Sequence, residues 1–94
     1  MKYDQHFMID LETAKKIVSF LEMKKDEKIL EIGPGKGILT QFLKGDITLI
    51  EIDKNLCNEL KERFPDIKII NRNVLHYNGN FDKIISNVPY SICE

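Results

Sequence analysis

Lys28-Ile29-Leu30-Glu31-Ile32-Gly33-Pro34-Gly35-Lys36-Gly37 decides the fold of this 94-residue chain. A short apolar run passes straight into glycines at alternate positions. Such a run, closed by glycine, reads as a buried strand. The glycines permit a tight turn and let a ligand come close to the backbone. Ile38, Leu39, Phe42 and Leu43 follow at helical spacing and predict a helix that leaves the loop and stops at Gly45.

The flanking sequence keeps alternating between the two periods. Leu11, Ala14, Ile17, Val18 and Leu21 predict a helix before the first strand, with Asp10 as its N-cap. Ile47 to Ile52 predicts a second strand. Leu56, Cys57, Leu60 and Phe64 stripe a further helix that Pro65 ends. Ile67 to Ile70 reads as a third strand, Asn78-Gly79-Asn80 as a turn, and Asp82 to Ser86 as a fourth strand. Strands alternating with helices predict a parallel sheet with helices on both faces. Right-handed crossovers put the second and third strands on one side of the first and the fourth on the other, in the order 3-2-1-4. Ligands of such sheets bind at the point of reversal, at the carboxyl ends of the first and fourth strands.

Composition narrows the class. Apolar residues make up 43% and charged residues 31%, as in ordinary globular domains, and the length allows one domain. A net charge of −1 gives no general attraction to nucleic acid. A basic surface for RNA would have to be local or lie outside this chain. The apolar runs are too short to span a membrane, and the opening Met1-Lys2-Tyr3-Asp4 has no signal-peptide pattern, so the expectation is a cytoplasmic protein with no membrane partner. Cys57 and Cys93 form no CxxC pair and no metal site is expected. Cys57 falls in an apolar helical stripe and reads as a core thiol. His76 reads as loop surface.

The chemistry concentrates in a few positions. A dinucleotide fingerprint would need glycine where Ile38 stands, and the P-loop Lys-Ser/Thr pair is absent, so the spacing disfavours both. Glu31-x-Gly33-x-Gly35-x-Gly37 after a strand instead fits a loop for S-adenosylmethionine, against the plainer reading of a turn with no ligand. Glu51 ends the second strand, where a carboxylate can accept both ribose hydroxyls of an adenosine cofactor; the alternative is a solvated strand-end charge. Asp53 reads as a helix cap. Asn73, after the third strand, can reach an adenine amine through its carbonyl oxygen or serve only as a turn residue. His6, before the first helix, reads as an exposed or capping histidine.

Asn87-Val88-Pro89-Tyr90 follows the fourth strand. The Asn87 carbonyl and a backbone carbonyl can accept both hydrogens of a planar NH2 group, and the Tyr90 ring can stack on the base that carries it. Such stacking contributes about 1–3 kcal/mol. The plainer alternative is a proline-containing strand exit.

With these residues in view, the chain resembles the N-terminal part of the rRNA adenine N6,N6-dimethyltransferases, which dimethylate two adjacent adenines near the 3′ end of small-subunit rRNA. Gln5-His6-Phe7-Met8-Ile9-Asp10 is similar to that family's Gln-Asn-Phe-Leu-x-Asp opening. Glu31 to Gly37 is similar to its cofactor loop, Ile50-Glu51-Ile52-Asp53 to its ribose-binding strand end, and Asn87 to Tyr90 to its Asn-Leu-Pro-Tyr. The resemblance implies a Rossmann-like class I methyltransferase fold with S-adenosylmethionine as cofactor. It implies that His6, Met8, Gly33, Gly35, Glu51, Asn73 and Asn87 line the cofactor site, and that Asn87, Pro89 and Tyr90 handle the target base. It also implies small-subunit rRNA or a pre-ribosomal subunit as partner.

The chain departs from the pattern at His6, where the family has Asn, and at Arg72-Asn73-Val74, where it has Gly-Asp-Ala. An uncharged Asn73 predicts weaker cofactor binding. The family's catalytic domain continues with more strands and a small helical domain. Residues 1–94 are therefore expected to be one partial methyltransferase domain, truncated after the fourth strand, with weak cofactor binding and little activity alone. An open fourth-strand edge would allow self-association. Two further readings stand beside this one: another amine methyltransferase, acting on DNA adenine or a glutamine amide, and a non-catalytic binding module that keeps the fold.

Overall fold

The computed structural model describes residues 10–86. Four parallel strands form one sheet in the order β3-β2-β1-β4, with β1 at Lys28–Ile32, β2 at Asp46–Ile50, β3 at Lys68–Ile70 and β4 at Lys83–Ser86. The strand order and parallel pairing are those expected from the sequence. Two α-helices accompany the sheet, α1 at Leu11–Ser19 and α2 at Lys54–Arg63. Both start where the sequence placed their caps. Asp10 accepts the Thr13 N–H at 2.7 Å and Asp53 accepts the Leu56 N–H at 3.0 Å.

Register sets the site. Ile32 of β1 lies level with Ile50 of β2 and Ser86 of β4. The segments that leave these three strands therefore start at one height. The reversal of strand order falls between β1 and β4, which makes this end of the sheet the place for a ligand.

Strand alternation defines the two faces. Ile29, Ile47 and Ile85 share a face and pack with Ala14 and Val18 of α1 and with Leu39 and Leu43. Glu31 and Leu49 lie on this face and are fully buried. The steps from β1 to β2 and from β2 to β3 run in one direction across the sheet, so right-handed crossovers put both connections on this face too.

Two expectations need correction. The segment after the glycine loop is not an α-helix but a series of turns ending in a 3₁₀ turn at Thr40–Phe42. Gly37 holds a positive φ of 89° at its start, and Leu43 is already extended at its end. The stretch between them closes only one α-type bond, from Gln41 N–H to Gly37 O, before i→i+3 bonds take over at Phe42 and Leu43. Nor do α-helices cover both faces among the described residues. The face of Leu30, Thr48, Ile50 and Ile84 meets the β3–β4 connection, where Thr48 shares a hollow with Tyr77 and Phe81. Ile84 remains 56% exposed there. That connection has room for only a 3₁₀ turn, Val74–His76, and irregular backbone through Asn78–Asn80. Among the described residues no helix is long and apolar enough to cross a membrane.

Candidate functional site

The glycine loop is shaped by its own backbone and by α2. Gly33, Gly35 and Gly37 all hold φ between 62° and 89°. Gly33 N–H donates to Ile50 O at 2.9 Å and Gly37 N–H to Pro34 O at 3.0 Å. At Gly37 a Cβ would stand 2.6 Å from Phe64 Cε2 and 3.3 Å from Leu60 Cδ2, so glycine lets the loop lie against the end of α2. At Gly35 a Cβ would meet nothing within 4 Å, which leaves open space on the ligand side of the loop.

Glu51 follows β2 and is 6% exposed. Its Oε1 accepts the Gly35 N–H at 3.3 Å, and its Oε2 accepts the Asp53 N–H at 2.9 Å. Its backbone is tied as well: the N–H donates to Ile70 O at 2.9 Å, and the carbonyl accepts from Cys57 Sγ at 3.3 Å and Asn71 Nδ2 at 3.0 Å. This buried, backbone-held carboxylate contradicts the solvated-charge alternative. Each carboxylate oxygen keeps acceptor capacity for one more donor. Cys57 is buried as expected, and burial pushes its thiol pKa up.

A cleft of about 160 Å³ opens beside Glu51, lined by Ile32, Gly33, Ile50, Glu51, Ile52, Arg72, Asn73 and Val74. Asn73 Oδ1 accepts the Leu75 N–H at 3.0 Å and caps the 3₁₀ turn. That bond realises the turn role, while a carbonyl oxygen takes a second donor, so the adenine role stays open. Ile52, one of the apolar side chains that line the cleft, is 66% exposed. A larger hollow of about 570 Å³, lined by Met23, Lys24, Lys25, Asp26, Lys44, Gly45 and Asp46, lies at the opposite, amino end of the strands. The fold's ligand rule favours the smaller cleft.

Glu31 is the other unusual group. It is fully buried, with Oε1 accepting the Thr40 hydroxyl at 2.5 Å and Oε2 without a partner among the described residues. Burial raises its pKa to about 7, against the lowering effect of the Thr40 bond.

The structure thus brings Gly33, Gly35, Glu51 and Asn73 to one end of the sheet. His6, Met8, Asn87, Pro89 and Tyr90 lie outside the described residues. Asn71, Ile52 and Arg72 were not singled out by sequence reasoning. A polar side chain directly after β3, level with Glu51, was the available signal for Asn71. Among the described residues no group of three or more His, Cys, Asp or Glu side chains could hold a metal ion.

Comparison with known proteins sharpens the assignment. A family model described as ribosomal RNA adenine dimethylase matches residues 1–94. The ribosomal RNA small subunit methyltransferase A of Malacoplasma penetrans is 44% identical over 100 residues, which cover 97% of this chain and 37% of that protein. The chain thus spans under two fifths of that relative's length. Among solved structures, the 23S rRNA methyltransferase ErmE superposes with a TM-score of 0.80 at 31% identity, over 93% of this chain and 39% of that one. A dimethyladenosine transferase from Plasmodium falciparum gives a TM-score of 0.78 at 26% identity, over 93% and 35%.

Proposed function

The chain belongs to the ribosomal RNA adenine dimethylase family, and from that premise we propose that it forms the cofactor-binding part of an S-adenosylmethionine-dependent enzyme that methylates N6 of adenines in small-subunit rRNA. On this reading the partner is the rRNA or a precursor of the small ribosomal subunit, met in the cytoplasm. The observation that carries the reading is the Glu51 carboxylate, buried and held by Gly35 and Asp53 N–H groups beside a cleft at the carboxyl ends of β1 and β2.

The donor set fits the cofactor. Glu51 would accept the ribose hydroxyls, and Asn73 the adenine amine through the free lone pair of Oδ1. Gly33, which lines the cleft, and Gly35, where a Cβ would meet nothing within 4 Å, would let the methionine part of the cofactor lie against the loop, and His6 and Met8 would close the site from the N-terminal side. When bound, S-adenosylmethionine supplies an electrophilic methyl carbon, so the protein's task is positioning and polarisation. Asn87 and the Val88 carbonyl would accept the two hydrogens of the adenine amine, which concentrates the lone pair on nitrogen. Pro89 would restrict the backbone next to that carbonyl, and Tyr90 would stack on the base. No dedicated base is required, because the proton leaves an already cationic nitrogen to water. Ser86, which ends β4 level with Ile32, brings the chain to this height directly before Asn87.

The test is methyl transfer from radiolabelled S-adenosylmethionine to small-subunit rRNA by the enzyme of which this chain forms the cofactor-binding part, with adenine-containing DNA as competitor. Label in rRNA adenines that falls at least tenfold in Asn87→Ala supports the reading. Label in DNA alone, or an Asn87→Ala variant as active as the parent, contradicts it. Cofactor uptake without transfer to any amine, together with self-association, would favour the binding-module reading.

A further inference from the structure

Asn71 follows β3 directly. Main-chain pairing between β2 and β3 reaches Ile50 and Ile70, and the Glu51 N–H still donates to Ile70 O at 2.9 Å. Past that point the strands part, and the carbonyls of Glu51 and Ile52 have no strand partner. The Asn71 side chain fills the gap. Its Nδ2 donates to Glu51 O at 3.0 Å and to Ile52 O at 3.0 Å. The amide is used on consecutive carbonyls, and although Glu51 O also accepts from Cys57 Sγ at 3.3 Å, Asn71 is the side chain that ties both the Glu51 and the Ile52 carbonyl and so orients the Glu51–Ile52 peptide.

That peptide carries two groups of the cleft. The Glu51 carboxylate points from one end of it toward Gly35 and Asp53, and the exposed Ile52 side chain stands at the rim from the other. We infer that Asn71 is a positioning residue for the nucleoside half of the cofactor, acting through the Glu51–Ile52 peptide. This rests on the S-adenosylmethionine reading of the cleft. Asn71 touches neither ribose nor base on this account. It fixes the peptide before the ligand arrives, so the ordering cost of binding is lower.

The residue type matters more than its size. Aspartate has nearly the same shape but no donors, and would set a carboxylate against two carbonyl oxygens. Two neutral hydrogen bonds in a partly exposed setting predict a loss of about three- to tenfold in affinity.

The test measures binding of S-adenosylhomocysteine and of adenosine by calorimetry in the wild-type chain, Asn71→Ala, Asn71→Asp and Val18→Ala. Val18 is buried in the α1 core and away from the cleft. Amide hydrogen exchange at Asp53, whose N–H is held by Glu51 Oε2, reads the peptide's order without any ligand. The expected result is a three- to tenfold loss for both Asn71 variants, equal for the two ligands, with faster exchange at Asp53. Val18→Ala should lower the melting temperature and leave both readouts alone. Affinity unchanged within twofold in both Asn71 variants would overturn the inference. So would an equal loss of affinity in Val18→Ala. A wild-type chain that takes up neither nucleoside would overturn the cofactor reading itself, and this inference with it.

Discussion

Glu51 and Gly35 are joined across the end of the sheet: the carboxylate that terminates β2 accepts the backbone N–H of the glycine loop that follows β1, at 3.3 Å. The loop and the acid proposed to bind ribose are therefore one unit, and the glycines of that loop should not be equivalent to substitution. Gly35→Ala meets no atom within 4 Å but must keep a φ of 62°, which costs about 1–2 kcal/mol. Gly37→Ala has the same backbone problem at φ 89° and also drives a methyl group to 2.6 Å from Phe64 Cε2. Thermal unfolding should show Gly37→Ala clearly less stable than Gly35→Ala. Equal melting temperatures would mean that the packing of the loop on α2 is wrong.

Glu31 should make stability fall with rising pH. Its pKa is about 7 in the folded chain, raised by burial from 4.5. The folded state therefore holds the proton more tightly than the unfolded chain. The contribution of the neutral acid is full below about pH 4.5 and is lost as pH rises through about 7. The full shift corresponds to about 3 kcal/mol. Glu31→Gln keeps the shape without the charge. Denaturant titrations from pH 5 to 8 should show a declining stability in the wild type and a flatter curve in Glu31→Gln. Parallel curves would rule out a titrating Glu31.

Asn73 offers a gain of affinity. Its Oδ1 caps the 3₁₀ turn, and the residue lines the cleft. Asn73→Asp keeps the cap and adds a charged acceptor, which forms a stronger bond to an amine donor. Affinity for S-adenosylmethionine should rise about three- to tenfold, with little change for a ligand whose adenine amine is replaced by a carbonyl. An equal effect on both ligands would place Asn73 away from the adenine amine.

The relation of sequence to structure divides by length scale. Long apolar periodicities with a clear cap, Asp10 before α1 and Asp53 before α2, were legible because pattern and capping chemistry agree. The strands were legible because apolar runs closed by glycine or by charge leave few other readings. The stretch from Ile38 to Leu43 was misread because spacings of three and four suit an α-helix and a 3₁₀ turn alike. The positive φ at Gly37 and the extended Leu43 decide between them, and neither is a property of periodicity. Among the described residues no α-helix covers the second face, because alternation of elements does not fix the length of a crossover, and the one after β3 is short. Motif spacing singled out Glu51 and the glycines, which the fold brings together at one end of the sheet. Asn71 was not, because its role depends on where two strands part, which only the register reveals.

The most direct test of the account is a calorimetric titration of S-adenosylmethionine into the wild-type chain and into Glu51→Ala. Loss of a charged, buried acceptor predicts an affinity at least tenfold weaker in Glu51→Ala, at one ligand per wild-type chain. Equal affinity in the two chains, or no binding to the wild type, would contradict the assignment of the β1–β2 strand ends as the cofactor site.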